Sequence, residues 1–315
     1  MKRLAYRLAW LVGSLLLASL LIFWATNALP GDIANVLLGH NATPQEVAAL
    51  REKLGLNRPF LVRYFEWLGG ALSGDFGKSY ISGRSVTGLI LPRLEVSVWL
   101  AALATLGSLL VALPVGAFAA LRRRHLDGLA VSALSQVGLA VPAFWAGIWL
   151  VVLFSVQLGW LPAGGYVPYQ ESLAQWARHM VLPVASLAIV QASVLSRYVR
   201  SAVIDVMHTD YFRTARAVGW SRVGALWRHG LRNISISLIT VLGLQVATLL
   251  VGAIIIEQVF ALPGLGSRLL LAVTQRDLSV VQGIVLLLVW AVLVVNFLVD
   301  VAYRFLDPRL KKVTK

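Results

Sequence analysis

Long apolar runs alternate with shorter polar segments along the whole chain. Six of these runs are long enough to cross about 30 Å of hydrocarbon as helices that rise about 1.5 Å per residue. The predicted spans cover residues 8–29, 95–121, 129–158, 179–199, 234–260 and 280–305. Pro114 and Pro142 predict kinks in two of them, since membrane helices tolerate proline where neighbouring helices satisfy the freed carbonyls. We therefore expect an all-α membrane protein with six transmembrane helices.

The first apolar run follows a basic start, MKRLAYR, so a cleaved signal peptide is the competing interpretation. The run is long and lacks a clear small-residue cleavage site. Both features favour a retained helix.

One long polar segment, residues 210–233, lies between apolar runs and is rich in arginine. Asp210 is predicted to cap a helix that begins at Tyr211, because its carboxylate can accept from the free N–H groups of the first turn. Gly219 tolerates a positive φ and predicts the end of that helix, and Ser221 predicts a second cap. The apolar positions that follow have the spacing of one helix face: Val223, Leu226, Trp227, Gly230 and Leu231. Three arginines lie off that face: Arg222, Arg228 and Arg232. The pattern predicts a helix, a glycine turn and an amphipathic helix at a membrane surface.

Composition supports the membrane class. The chain is 58% hydrophobic and 13% charged, with a mean hydropathy of +0.78, whereas a soluble domain carries about 25% charged residues. The net charge of +14 is dispersed between apolar runs without an aromatic platform, which argues against a nucleic-acid partner. Cysteine is absent, which excludes a disulfide, a thiolate metal site and a cysteine nucleophile.

The distribution of Lys and Arg predicts the orientation. Most of these residues face the cytoplasm if the N-terminus is inside, and most of the remainder lie in one long loop, residues 30–94, which can cross regardless of charge. Both termini and residues 210–233 are therefore predicted to be cytoplasmic. We divide the chain into residues 1–94, the first helix and an outer loop, and residues 95–315, a five-helix core with a cytoplasmic loop at about 200–233.

The outer loop carries its own helix signals. Thr43 and Glu46 form a capping-box pattern with proline between them, which predicts a helix that ends near Gly55. Residues 60–72 predict a second, amphipathic helix. Its aromatic side chains either lie along the outer membrane interface or form a docking surface for an extracellular partner. Residues 159–178 are rich in glycine, proline and tyrosine and predict a surface loop.

Signals for catalysis are absent from the sequence. Gly77-Lys78-Ser79 matches the last three positions of the phosphate-binding loop pattern. Leu72, however, occupies the position at which that pattern requires glycine. The five histidines form no pair at metal-ligand spacing, and neither HExxH nor GxSxG occurs. We predict no catalytic residue, no metal site and no cofactor bound by this chain.

Polar residues within the predicted spans are sparse. The carboxylates of Glu257 and Asp300 lie near span ends and are too few for a proton relay. Four amides are predicted to form interhelical hydrogen bonds or to line a polar path: Gln136, Gln191, Gln245 and Asn296. A transporter with neither an ion relay nor a nucleotide site of its own must take its energy from elsewhere.

The polar segment resembles the coupling loop of ATP-binding-cassette (ABC) importer permeases, whose general pattern is Glu-Ala-Ala, three residues, then Gly. Arg213, Thr214 and Ala215 occupy the first three places, and Gly219 the last. The sequences YFRTARAVG at 211–219 and RHGLRN at 228–233 are similar to the dipeptide, oligopeptide and nickel branch of that family. Further similar motifs occur in order at residues 29–32, 54–56, 74–79, 257–260 with 263–266, and 307–309. Asn57 stands where the family pattern has Asp.

The resemblance implies a type I ABC importer permease of the bacterial plasma membrane. It implies a second homologous permease, two ABC ATPase subunits that hold ATP and Mg, an extracytoplasmic substrate-binding protein and surrounding membrane lipid. The residues it places at ATPase coupling are Asp210, Tyr211, Arg213, Thr214, Ala215, Arg216, Ala217 and Gly219. For the translocation path we nominate Gln136, Gln191, Gln245, Glu257 and Asn296.

Several alternatives stay open at this point. The substrate is a di- or oligopeptide, or else nickel or another small solute. Arg213 and Arg216 share a helix face and either pair with acidic groups of an ATPase or anchor to anionic lipid. A self-sufficient secondary transporter would show an ion relay or inverted repeats, and a membrane-embedded enzyme would show paired catalytic groups.

Overall fold

The computed structural model describes residues 2–28, 33–38 and 42–306. Within these ranges the chain forms helices joined by turns, with an isolated antiparallel bridge between Lys78 and Ser85. The all-α prediction is confirmed. The predicted motifs at residues 29–32 and 307–309 lie outside the described residues.

The helices follow in chain order. The first five are α1 Lys2–Ala28, α2 Ile33–Leu38, α3 Pro44–Lys53, α4 Phe60–Leu72 and α5 Val86–Leu121. The next five are α6 Leu126–Ala140, α7 Ala143–Leu150, α8 Leu173–Met207, α9 Asp210–Ala217 and α10 Arg222–Ala225. The last three are α11 Leu231–Val259, α12 Leu265–Thr274 and α13 Leu278–Leu306. Two π-helical turns, Val151–Gln157 and Leu226–Gly230, extend α7 and join α10 to α11.

Five continuous helical stretches in the described chain are long and apolar enough to cross a membrane. They are Tyr6–Ala28, Val86–Leu121, Leu173–Met207, Arg222–Val259 and Leu278–Ala302. These stretches confirm five predicted spans, and α8 extends well beyond the predicted 179–199. The predicted kink at Pro114 does not interrupt α5.

The predicted span 129–158 is divided at Pro142, where the sequence predicts a kink. It consists of α6 and α7, which are bent by 103° at Val141 and Pro142. Val141 adopts an extended conformation, with φ −83° and ψ 119°, because the proline ring that follows disfavours the helical region. Pro142 also lacks the N–H that would continue the hydrogen-bond ladder. The pair amounts to a sixth span only when both halves are taken together.

Contacts divide the described residues into two compact units. The first comprises the described parts of Met1–Val96 with Pro263–Val294, and the second those of Ser97–Leu262 with Val295–Lys315.

In the first unit, α4 packs on α1. The rings of Phe60, Tyr64 and Trp67 lie 5.2–5.7 Å from the ring of Phe23 in α1. The hydroxyls of Tyr64 and Ser19 lie 2.8 Å apart. Most of the predicted amphipathic face of α4 therefore packs within the unit, while Phe65 stays exposed.

The helix signals within residues 42–72 are confirmed. Thr43 caps α3, and the Glu46 carboxylate accepts from the Thr43 backbone N–H at 2.8 Å. The pKa of the Glu46 carboxyl lies below its usual range. The larger cause is the hydrogen bond from the Thr43 backbone N–H, and the smaller is the bond from the Thr43 hydroxyl. Gly55 has a φ of +66° directly after the C-cap of α3.

A buried carboxylate holds the loop that precedes α5. Asp277 is fully buried and accepts a hydrogen bond from the Ser79 hydroxyl at 2.5 Å and from the Tyr80 N–H at 3.1 Å. Val86 and Ile90 of α5 pack in an apolar cluster with residues of α12 and α13. Ser79, the last residue of the rejected phosphate-loop motif, therefore has a structural role.

In the second unit, α8 is central and packs against α6, α7 and α11. Leu195, Val199 and Val203 of α8 are almost fully buried. Gly116 in α5 lies so close to α8 that a Cβ built on it would come within 2.6 Å of the Ser196 carbonyl oxygen and the Val199 Cβ. Close packing of small residues stabilises helix pairs in membranes because it brings the backbones together.

Replacing Gly116 with alanine is expected to destabilise the protein, because the methyl group meets backbone that cannot shift cheaply. Overpacking of this kind costs about 1–3 kcal/mol. Gly13→Ala in α1 is the matched control, since its Cβ would meet no described atom within 4 Å and alanine is the better helix former. Detergent-induced unfolding should show a loss for Gly116→Ala and none for Gly13→Ala. Equal stability of the two variants would contradict the packing.

Candidate functional site

The basic segment begins with α9, whose start differs from the prediction. The helix begins at Asp210, and Thr209 occupies the cap position without a side-chain cap bond. The Thr209 hydroxyl instead donates to the Val206 carbonyl of α8 at 2.6 Å. Asp210 lies in the first turn, exposes its carboxylate and pairs with Arg213 at 3.5 Å. The predicted Asp210 cap is therefore wrong, although a carboxylate in a first turn still interacts favourably with the helix dipole.

Helix α9 has a buried face and an exposed face. Phe212 and Ala215, three residues apart, are 5% and 7% exposed and pack in a core cluster with Val206, Ala225 and other residues. The side chains of Thr214, Arg213, Arg216 and Ala217 lie on exposed positions. The Thr214 hydroxyl donates back to the Asp210 carbonyl at 3.0 Å. The sequence pattern of residues 210–219 does not predict that Ala215 is buried in the protein's own core.

A tight turn at Gly219 ends α9, as predicted. Gly219 has a φ of +101°. The Gly219 N–H donates to the Arg216 carbonyl at 3.1 Å and the Trp220 N–H to the Ala215 carbonyl at 3.2 Å. The predicted second cap is also confirmed, because the Ser221 hydroxyl accepts from the Gly224 N–H at 3.0 Å.

The chain after Ser221 is not a separate amphipathic helix. Helix α10 passes through the π-helical turn Leu226–Gly230 directly into α11. A π-helical turn holds more residues than an α turn, so positions spaced for an α-helix no longer share a face across it. The predicted apolar face is accordingly split: Leu226 and Gly230 are buried, whereas Val223, Trp227 and Leu231 are exposed.

Two contacts tie the start of this span to the helices beside it. Gly230 approaches α8 so closely that a Cβ would come within 2.9 Å of Val206 Cγ1. The Asn233 side-chain amide donates to the Tyr211 hydroxyl of α9 at 2.8 Å. Displacement of α9 would therefore act on α8 and α11 together.

The surface beside α9 is strongly basic. A cleft of about 580 Å³ lies between the end of α5 and α9, and its lining includes Arg123, Arg124, Arg213, Arg216 and Arg222. His208 also lines it, with Nδ1 2.8 Å from the Ile204 carbonyl and Nε2 3.4 Å from the Arg123 guanidinium. Since a carbonyl only accepts, Nδ1 donates and Nε2 accepts from Arg123. This surface favours an acidic partner.

Two of the nominated path residues lie together. Gln191 of α8 and Gln245 of α11 line one cavity of about 450 Å³ beside the break between α6 and α7. Gln191 Oε1 and Gln245 Nε2 are buried, and neither atom has a hydrogen-bond partner within the described ranges. For these two atoms the predicted interhelical hydrogen bond is not formed.

The other three nominated residues lie apart from that cavity. Gln136 is exposed on α6 and lines a separate cavity of about 40 Å³. Asn296 is exposed on α13 and approaches Gly243. Glu257 is 1% exposed and accepts a hydrogen bond from the Ser97 hydroxyl. A role for the five side chains in a translocation path stays a prediction.

The fold and the basic segment define an all-α membrane protein with a glycine-ended surface helix between two spans. Residues 112–312 match the family model described as the inner membrane component of binding-protein-dependent transport systems. Residues 1–101 match the model of the N-terminal part of such membrane components. The chain belongs to this family of binding-protein-dependent transport system membrane components.

Two similar proteins and a solved structure support this family membership. A protein of Brucella suis biovar 1 (strain 1330), named as a permease of a peptide transport system, is 40% identical over 96% of this chain and 97% of its own length. The glutathione transport system permease of Salmonella choleraesuis (strain SC-B67) is 37% identical over 97% of each chain. An inward-facing form of the MetNI methionine ABC transporter matches with a TM-score of 0.55 and 19% identity, covering 70% of this chain and 96% of that one.

The resemblance to ABC importer permeases seen in the sequence is therefore confirmed. The chain has the fold of a type I ABC importer permease. It is a multi-pass bacterial inner membrane protein and a non-catalytic component of an ATP-driven importer, whose ATPase is a separate subunit.

Replacement of Gly219 is expected to destabilise the turn at the end of α9. A Cβ there would meet no described atom within 4 Å, so any penalty comes from the positive φ alone, about 1–2 kcal/mol for a residue with a branched side chain. Gly219→Val should accelerate amide hydrogen exchange across residues 210–221 by about tenfold. Gly219→Asn is the comparison variant and should exchange at a rate between those of the original protein and Gly219→Val, since asparagine adopts positive φ more readily than valine. Identical exchange in both variants would contradict a strained turn.

Proposed function

We propose that the chain is a permease for short peptides and forms the translocation path together with a second, homologous permease. The names of its relatives support this substrate class, since they refer to peptide transport and to glutathione, itself a tripeptide. An extracytoplasmic binding protein delivers the peptide to the outer face. Two ABC ATPase subunits, which hold ATP and Mg, drive the cycle from the cytoplasm. Import of nickel or another small solute is the alternative.

The observation that carries the coupling mechanism is the two-faced packing of α9. Arg213 and Arg216 of α9 and its C-cap residue Val218 are exposed, whereas Phe212 and Ala215 are buried in the core of the second unit. A partner that docks on the exposed side therefore pushes on the same cluster that contains the end of α8 and the start of α11. Because close-packed interiors are poorly compressible, they transmit such a displacement.

The cycle follows from this arrangement. ATP binding closes the two ATPase subunits on each other and carries the docked α9 helices with them. The displacement tilts α8 and α11, which opens the path to one side of the membrane and then to the other. In this proposal Arg213 and Arg216 pair with acidic groups of the ATPase, and binding to anionic lipid is the competing role for them.

The test uses the exposed end of α9. Ala215 is unsuitable for a charge substitution, because a carboxylate there would be buried in the protein's own core. Val218, which is 75% exposed, is suitable. In proteoliposomes with the complete importer, Val218→Asp should lower uptake of a labelled dipeptide by about tenfold or more, since an unpaired carboxylate is then buried at the docking surface. Stimulation of ATP hydrolysis by the loaded binding protein should fall with it.

Leu126→Asp is the matched control. Leu126 is 85% exposed at the start of α6, on the same predicted side of the membrane. This variant should import the dipeptide at close to the original rate. Normal uptake by Val218→Asp would overturn the docking role of α9. Uptake of nickel without uptake of any peptide by the unmodified importer would overturn the substrate class.

A further inference from the structure

The cavity lined by Gln191 and Gln245, beside the break between α6 and α7, has the size, the apolar walls and the few polar groups of a small-molecule site. It has a volume of about 450 Å³, within the range of about 300–1,000 Å³ that small-molecule sites occupy. Its walls come from α8, α11 and the junction of α6 and α7, and most of them are apolar. Gln191 and Gln245 each stand at the middle of their helices, Leu173–Met207 and Leu231–Val259. The cavity is therefore placed near the centre of the membrane.

The two glutamines leave one acceptor and one donor unused. Gln191 is 7% exposed, and its Oε1 atom finds no donor among the residues described. Gln245 Nε2 is also buried and finds no acceptor in the same part of the chain. Burial of an unsatisfied polar atom is unfavourable, and in a membrane the penalty is not relieved by bulk water. A pair of such atoms on one cavity is suited to a ligand that supplies an N–H and a C=O.

The helix break adds donors at the same place. Helix α7 begins at Ala143 after Pro142, and no side chain caps its first turn. The first N–H groups of a helix have no intrahelical acceptor, and Ala143 and Phe144 line the cavity. Discontinuous helices provide backbone groups for substrates in other membrane transporters. The apolar walls, by contrast, offer no charged group to bind one particular side chain tightly.

We propose that this cavity is a transient binding site for the backbone of the transported peptide. Gln191 accepts a hydrogen bond from a peptide N–H, and Gln245 donates to a peptide C=O. The free N–H groups at the start of α7 donate to a further carbonyl or to the terminal carboxylate. Recognition of the backbone with few side-chain contacts allows many sequences to pass, and a small number of hydrogen bonds keeps binding weak enough for release. This inference rests on the proposed peptide-import function.

The test compares two changes made separately and together. One replaces a glutamine of the cavity with leucine, and the other methylates the backbone of the transported peptide. The complete importer is reconstituted in proteoliposomes, and uptake of labelled trialanine is compared with uptake of the same peptide methylated on its backbone nitrogens. Methylation removes the N–H groups. Its effect on the binding protein is the same for every permease variant and therefore cancels from the comparison.

We expect Gln191→Leu to lower uptake of unmodified trialanine by about fivefold, the range of one hydrogen bond. Methylation should then lower uptake much less in this variant than in the original importer. Gln245→Leu should lower uptake of both peptides by a similar factor, because it removes a donor to a carbonyl that methylation leaves intact. Gln175→Leu, an exposed position on the same helix as Gln191, should behave as the original protein.

Stability measurements separate transport from folding. Since the unsatisfied atoms make no bond within the described chain, leucine at either position should leave the melting temperature unchanged or raise it. The proposal is overturned if methylation lowers uptake by the same factor in Gln191→Leu as in the original importer. It is also overturned if either variant loses the second permease on purification, because the two glutamines would then hydrogen-bond the other subunit and not the peptide. If the original importer takes up no peptide, the proposed function itself fails.

Discussion

The packing of Phe212 and Ala215 against the end of α8 is the contact on which the basic segment, residues 210–233, depends. These two side chains hold a helix of only eight residues on the protein surface, although a helix this short is not stable on its own in water. The same contact leaves the opposite side of α9 free for a partner. The turn at Gly219 and the Ser221 cap then return the chain to the membrane as α10 and α11. A surface helix with this anchoring is packed against the spans on either side of it, which is the arrangement that the proposed coupling requires.

The polar groups of the apolar regions fall into two kinds. Asp277 and Glu257 are buried, and the hydroxyls of Ser79 and Ser97 satisfy them. Such pairs fix loops and helices in place. Gln191 and Gln245 differ, because their buried atoms face a cavity and find no partner among the described residues. Since a membrane interior makes an unsatisfied group unfavourable, the proposed peptide site rests on this second kind.

Local features were predictable because they depend on residues close in sequence. The Thr43–Glu46 capping box, the Ser221 cap and the positive φ of Gly219 are each determined within one turn of chain. The limits of α4 were also predicted correctly, from its amphipathic pattern. The family followed from motif order along the chain, which the comparisons confirm.

Tertiary effects explain the errors. The Thr209 hydroxyl is engaged with the last turn of α8, and the helix starts one residue early at Asp210. A π-helical turn splits the expected face after Ser221, and no single-sequence period reveals such a turn. Pro142 predicted a kink but not its size, and α6 and α7 are bent by 103°. Sequence alone also could not show which amides share a cavity.

The central claim is that the exposed side of α9 is cytoplasmic and contacts an ATPase. Because the chain contains no cysteine, a single cysteine introduced in place of Val218 gives a unique thiol for cross-linking in native membranes. The account predicts that this thiol cross-links to an ATPase subunit and resists a membrane-impermeant reagent added from outside. A cysteine in place of the exposed Leu72, on the predicted outer loop, should react with that reagent and form no such product. Labelling of the residue-218 thiol from outside, or its failure to reach any ATPase in the assembled importer, would contradict the account.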